Sequence, residues 1–393
     1  MADLEGGSNK ILGDEEKLLE LATTSNGPQF HRHYQQFSSR NIVVLFSAVA
    51  LSILLLYHSS SYPLQFFPNS SYKYGNTTPS SNGSIAENSI HHDNTANVSA
   101  QGTQPLTDTK NMRSKLEEML EKAAMGDKTV IITTLNAAWT APNSIFDLFL
   151  ESFKIGNQTK PLLKHILVVA LDQTAYSRCL EKQYLHCYAL TTEGVDFSGE
   201  AYFLSDDYLK MIWRRIDFLR TVLETGYNFI FTDADILWFR QPFAHFYPDT
   251  DFQIACDHYW YDSFDLDNSP NGGFNFVKSN NRSIQFYKFW YDAREAHPGK
   301  MDQDVLNMIK HDPFVKEIGL KIRFLDTALF GGFCEPSKDL NFVCTMHANC
   351  CIGLENKIHD LTMAIDDWKK FMALPGDDRM SKPQTWTVPR ICG

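Results

Sequence analysis

No cysteine occurs in the first 178 residues of this 393-residue chain, no N-x-Ser/Thr acceptor precedes Asn69, and no charge falls between Ile42 and Tyr57. Positive charge is also scarce: 36 Lys and Arg stand against 47 Asp and Glu, for a net charge of -11. A chain whose main partner is a nucleic-acid backbone needs clustered positive potential, so that class is excluded. Any polyanion it binds should be small and bridged by a metal.

The missing charge over IVVLFSAVALSILLLY, residues 42–57, excludes a solvated segment. At about 1.5 Å per helical residue it spans roughly 25 Å, workable in a thin early-secretory bilayer. We read residues 41–57 as one membrane anchor. The other reading is a cleaved signal peptide, against which stand the long segment ahead of the run and the lack of a small-x-small site in YHSSSYP. Arg32 and Arg40 precede the run and only Lys73 soon follows, so the positive-inside rule puts the N-terminus in the cytosol and the rest in a lumen.

Two further patterns agree with that side. Glycosylation acceptors at Asn69, Asn76, Asn82, Asn97, Asn157 and Asn281 all follow the run. All eight cysteines do as well, and an even number suits disulfides in an oxidising compartment, with Cys179 and Cys187 the nearest pair. A zinc site at Cys344, His347, Cys350 and Cys351 is the alternative use, although adjacent cysteines lack the usual ligand spacing.

With 43% apolar residues the chain can bury one substantial core, and its length would permit two. Residues 1–40 are polar and read as a cytosolic tail; 58–108, rich in Ser, Asn, Thr and Gly, read as a flexible glycosylated stem. The ordered domain is expected over 109–393. Met112, Leu116, Met119, Leu120 and Ala123 share a helical stripe that Gly126 should end. Thr129–Leu135 and His165–Leu171 read as buried strands, Ser144–Phe153 and Asp206–Leu223 as helices, and Asn228–Phe231 as a third strand. Strands and helices alternating at crossover spacing predict an α/β domain with a mostly parallel sheet, whose ligands bind at the carboxyl ends of strands.

Asp233-Ala234-Asp235 stands at such an end, after Phe-Ile-Phe-Thr and before Ile-Leu-Trp-Phe. In extended chain, residues two apart point to one side. Paired carboxylates suit Mg2+ or Mn2+, which bind through carboxylates plus substrate phosphates. A D-x-D in a polar loop would be a turn or a solvated pair. Between apolar segments, two like charges are costly to desolvate unless a cation compensates.

Together, SDDYLKMIW, FTDADILWF, NGGFNF, MDQDVLN and HANCCIG resemble, in order and spacing, the plant nucleotide-diphospho-sugar transferases of glycosyltransferase family 77. The resemblance runs from about Thr129 to the C-terminus. It implies a GT-A type, Rossmann-like fold, type II topology in the Golgi membrane with a lumenal catalytic domain, and retaining transfer of arabinose, xylose or galactose from a UDP-sugar donor. The implied acceptor is a cell-wall glycan or a hydroxyproline-rich glycoprotein. Asp235 would bind the metal directly, Asp233 the ribose or a metal-bound water, and His347 would complete the metal shell. Gly353 and Lys357 would approach the diphosphate, and Thr133, Thr134 and Asn136 the base and ribose. Lys210 and Arg214, at i and i+4 on one helix, would reach the donor. Asn271, Gly272 and Gly273 would lie where donor and acceptor meet, and Asp302, Gln303 and Asp304 on the sugar side.

Each residue has a plainer reading too. His347 is by itself a structural histidine, Lys357 a solvated helix lysine, and the glycines of 271–275 an ordinary turn. Lys210 and Arg214 can pair with Asp206, Asp207 or Asp217, and Asp302 can cap a helix. Retention allows a carboxylate nucleophile or a front-face path in which departing phosphate takes the acceptor proton. At the level of function, a non-catalytic lumenal scaffold that binds nucleotide-sugars or glycans, and a metal-dependent hydrolase, stand beside the transferase.

Overall fold

A computed structural model describes residues 104–190, 192, 195–199 and 204–392. The expected tail, membrane run and most of the stem lie outside these residues. No helix among the described residues is long and apolar enough to cross a membrane.

Helix α1 (Gln104–Ala123) opens ahead of the domain start expected at Thr109 and stops three residues before Gly126. Of the expected stripe, Leu116, Leu120 and Ala123 are buried, with Met112 and Met119 half-buried. Then follow β1 (Thr129–Leu135), α2 (Ile145–Ile155), β2 (Ile166–Ala170), α3 (Gln173–Leu180), β3 (His186–Ala189), α4 (Asp206–Glu224) and β4 (Asn228–Thr232). Next come β5 (Ile236–Trp238), β6 (Phe252–His258), β7 (Ser269–Val277), α5 (Asn281–Ala293), α6 (Asp302–Ile309), α7 (Pro313–Glu317) and β8 (Ile322–Phe324). Two short strands, β9 (Phe330–Gly332) and β10 (Thr345–His347), precede the long α8 (Leu354–Ala373) and the short α9 (Gly376–Ser381).

Seven strands form one sheet in the order β3-β2-β1-β4-β7-β6-β8. β7 alone runs against its neighbours; the other pairings are parallel. This is the α/β, mostly parallel architecture expected from the sequence. The second sheet, β5-β10-β9, is small.

Alternate residues of the central strands feed two cores on opposite faces. Ile131, Val168 and Ile230 pack on one side with Phe149, Phe153, Trp238 and Trp368. Val130, Ile132, Leu167, Val169, Phe229 and Phe231 pack on the other with Ile216, Leu219, Tyr287 and Trp290. Both faces are covered, which is why β2 is wholly apolar and β1 and β4 are rich in apolar and β-branched residues.

Three disulfides join Cys179 to Cys187, Cys334 to Cys350 and Cys351 to Cys392. The nearest pair is bridged as expected. Two thiols remain free and buried, Cys256 and Cys344. The zinc alternative fails, because Cys350 and Cys351 are oxidised to different partners.

Candidate active site

The chain leaves the large sheet at Thr232 and enters the small one at Ile236, so Asp233-Ala234-Asp235 must change direction. It forms a turn, with the Ile236 amide donating to the Asp233 carbonyl at 3.2 Å, rather than the extended segment the sequence suggested. The two carboxylates still converge, and the small sheet supplies the third group. Antiparallel pairing sets His347 opposite Ile236, and the Ala348 amide donates to the Asp235 carbonyl at 3.1 Å. One ligand atom each from Asp233, Asp235 and His347 then lie within 4.8 Å of one another. Lys357 comes from the first turn of α8, which follows Gly353 at φ 92°, a conformation that favours glycine. Its ammonium donates to Asp235 Oδ2 at 2.6 Å and lies 5.7 Å from the Trp139 ring centre.

Burial alone would raise the pKa of Asp235, but Lys357 and His347 overcome it and hold the carboxyl well below the usual range. Asp233 moves the other way: burial and the neighbouring Asp235 carboxylate raise it, against the pull of Arg215. The pair is thus split electrostatically, with Asp235 the firmly ionised member.

A divalent cation fits these residues. Asp235 Oδ1 is buried and lies 3.2 Å from His347 Nε2, and no other group hydrogen-bonds to it among the described residues. Buried carboxylate oxygens are almost always satisfied, so one that faces an imidazole alone, beside a second carboxylate, suits a cation. Gly273 keeps the space clear. It lies in β7 opposite Asp233, whose amide donates to its carbonyl at 2.7 Å. A Cβ there would sit 2.6 Å from His347 Cε1 and 2.7 Å from Asp233 Oδ2. Residues 271–275 are therefore strand rather than the plainer turn, and the glycines serve close approach.

Arg215 of α4 joins the acidic turn to α6. It donates to Asp233 Oδ1 at 2.9 Å and to Asp302 Oδ2 at 2.5 Å, with its guanidinium over the Phe231 ring. Asp302 is the first residue of α6, after the cap position held by Met301. Its Oδ1 accepts the Gln303 amide at 2.9 Å and its carbonyl accepts the Trp290 indole N–H. Beyond lies a carboxylate held by carboxamides: Asp257, at the end of β6, accepts from Asn271 at 2.9 Å, Gln303 at 2.7 Å and Asn349 at 2.7 Å. Gln303 in turn accepts the Gly272 amide at 3.2 Å.

Residues 161–361 match the nucleotide-diphospho-sugar transferase family. An uncharacterized protein of Arabidopsis thaliana is 54% identical over 278 residues, covering 71% of this chain and 73% of its own length. The chain belongs to this transferase family. Enzymes of named activity match more distantly. The arabinosyltransferase RRA2 of Arabidopsis thaliana is 25% identical over 43% of this chain and 35% of its own. A UDP-galactose:fucoside alpha-3-galactosyltransferase of Dictyostelium discoideum is 43% identical over 72 residues, 16% of this chain and 10% of its own.

In the transferase, Asp233, Asp235, His347, Lys357, Gly273, Gly272, Asn271, Asp302 and Gln303 form one connected cluster. Thr133 and Thr134 lie in the carboxyl half of β1, opposite Val168 and Val169 of β2, and Asn136 follows the strand, its Nδ2 donating to the Gly199 carbonyl at 2.9 Å. Asp304 makes no hydrogen bond or ion pair among the described residues. Lys210 and Arg214 pair with Asp207 and Asp217, as their plainer reading held.

The guanidinium that reaches the cluster is Arg215, one residue on. The sequence carried a signal for it. Arg215 falls on the buried stripe Ile212, Ile216, Leu219 and Leu223 of α4, where an unpaired charge is too costly to keep. Two other groups escaped the sequence reading. Asp257 follows an apolar strand just as Asp233 does. Tyr208, on the same helix as Arg215, feels the cluster: burial first, and then the Asp302 carboxylate, push its phenol pKa up.

Proposed function

We propose that this glycosyltransferase moves a sugar from a UDP-sugar to a glycan or hydroxyproline-rich glycoprotein, with retention, using Mn2+ or Mg2+. In this reading Asp235 and His347 hold the ion directly, and Asp233 joins them or contacts the ribose. The observation that carries it is the convergence of Asp233, Asp235 and His347, with a buried Asp235 oxygen that faces the imidazole alone. When bound, the ion would neutralise the diphosphate and make UDP a better leaving group. The chain's own residues do the rest. Lys357 adds positive charge at the same carboxylate. Arg215 fixes Asp233 relative to Asp302, so that the donor side and the sugar side keep one geometry.

Both carboxylate oxygens of Asp302 accept hydrogen bonds, from Arg215 and from the Gln303 amide. Those bonds fix the carboxylate's position for either retaining path, a covalent intermediate or front-face attack. Three disulfides suit an oxidising lumen, and with the apolar run at 41–57 and the acceptors beyond it they support a type II protein of the Golgi membrane.

The test is to incubate the full-length protein with individual UDP-sugars and Mn2+, with and without EDTA, and to read UDP release and glycan product. Metal-dependent transfer that Asp235→Ala abolishes is the expected result. Metal-dependent UDP binding that survives Asp235→Ala unchanged would overturn the assignment of the site.

A further inference from the structure

Beyond Asp257 the chain leaves β6 into a loop, 259–268, that holds Trp260 59% exposed, Tyr261 82% and Phe264 64%. Aromatic faces left in water forgo the stabilisation that burial would give, and clustered ones mark contact surfaces. Flexibility does not account for them. Asn268, fully buried, accepts the Trp260 amide at 2.7 Å and donates to the carbonyls of Asp262 and Asp265 at 2.7 and 2.8 Å. Buried Lys310 clamps the Asn268 carbonyl at 2.6 Å, and the Phe324 amide ties β8 to Ser263 at 3.0 Å. Within this frame Tyr261 is held at φ 63°, in the left-handed region that a bulky side chain rarely adopts. Such strain persists where the surroundings fix it, and it gathers at ligand-binding positions.

Position and charge narrow the ligand. Trp260 stands three residues from Asp257, whose carboxylate accepts from Asn271 and Gln303, and Asn268 ties the same loop to Lys310 at the end of α6, the helix that carries Asp302 and Gln303. The loop itself bears Asp262, Asp265 and Asp267, with no lysine or arginine. Two cations pack against it, Arg323 over the Phe264 ring and Lys310 on Asn268 and Asn307, so the net charge around the loop is still negative; that disfavours uronates and phosphates and offers acceptors to hydroxyl groups.

We propose that Trp260 and Tyr261 are a stacking platform for neutral sugar residues of the acceptor glycan; this rests on the glycosyl-transfer reading above. The C–H face of a neutral sugar ring lies flat against an indole or phenol, while its edge hydroxyls donate to nearby carboxylates. Two rigid aromatic side chains on a pinned loop lose little conformational freedom when the glycan binds.

The experiment is an array of neutral and acidic oligosaccharides probed with the full-length protein, alongside the double variants W260A/Y261A and W260F/Y261F. The wild type should bind neutral oligosaccharides; the alanine pair should weaken that binding by about tenfold or more, and the phenylalanine pair should keep most of it. Binding confined to acidic glycans, no binding by the wild type, or an alanine pair within about twofold of it overturns the platform. Calorimetry of UDP with Mn2+ on the same wild-type preparation separates the two readings: failure there refutes the donor site, whereas the array bears on the platform alone.

Discussion

Gly273→Ala puts one methyl group into the space between His347 and Asp233. The new carbon would lie 2.6 Å from His347 Cε1, 2.7 Å from Asp233 Oδ2 and 2.9 Å from Asn271 Oδ1. Carbon atoms rest at about 3.5 Å, so the imidazole alone must yield about 0.9 Å. Retreat of the strand would break its pairing to β4, which runs from Phe274 onward, and the bond from the Asp233 amide to the Gly273 carbonyl. The ligand side chains must therefore move, and a displacement near 1 Å at a reacting centre costs about 10²-fold in rate.

Overpacking should lower stability by about 1–3 kcal/mol, less the few tenths that Ala regains over Gly in the unfolded chain. Two neighbours grade the effect. At Gly272 the nearest atom is Asp302 Oδ2 at 3.3 Å, so Gly272→Ala should lose far less, and at Gly126 nothing lies within 4 Å. Calorimetric UDP affinity with Mn2+, the transfer rate and Tm should be measured across all three variants. Activity of Gly273→Ala within about threefold of wild type, in a protein that melts normally, would refute the view that this glycine clears the donor and metal site.

Arg215→Met strands the buried Asp302 carboxylate and should cost about 3–5 kcal/mol, whereas Arg214→Met removes a part-exposed pair and should stay within about 1 kcal/mol. Equal urea midpoints for the two would contradict the placement of Arg215. Alkylation of the denatured, unreduced protein should label Cys256 and Cys344 only, and a mass showing more than two adducts would mean the disulfides are not as described. Asp251 is buried, which raises its pKa, but Arg282 and the Lys321 amide more than offset this and hold it low. Its folded pKa lies below the unfolded value of about 3.9, so its stabilisation is present above that pH and fades as pH falls further. The gap in urea midpoint between wild type and Asp251→Asn should narrow below about pH 4, and a gap constant down to pH 3 would exclude the carboxylate as its source.

The sequence by itself determined the layers of this protein. Apolar and β-branched runs such as TVIITTL and FIFT must be covered on both faces, and α1, α2 and α4 were legible as covering helices, whereas α5 and α8, which bring Tyr287, Trp290 and Trp368, were not. It also singled out Asp233 and Asp235, two carboxylates after a buried strand whose desolvation a cation would offset.

Only the tertiary structure shows what brings other groups to them. His347, which the family resemblance named, is more than 100 residues away and arrives through strand pairing between β5 and β10, a register that no local pattern encodes. On α4 the adjacent choices Arg214 and Arg215 differ by about 100° around the helix axis. Spacing to its neighbours favoured the outer one; burial against the sheet selected the inner. The glycines at 272 and 273 admit a turn as well as a close approach, because glycine is common in turns, yet a strand without side chains answers the same composition. What separates the two is the approach of His347 and Asp233, a contact made by chain segments far apart in sequence.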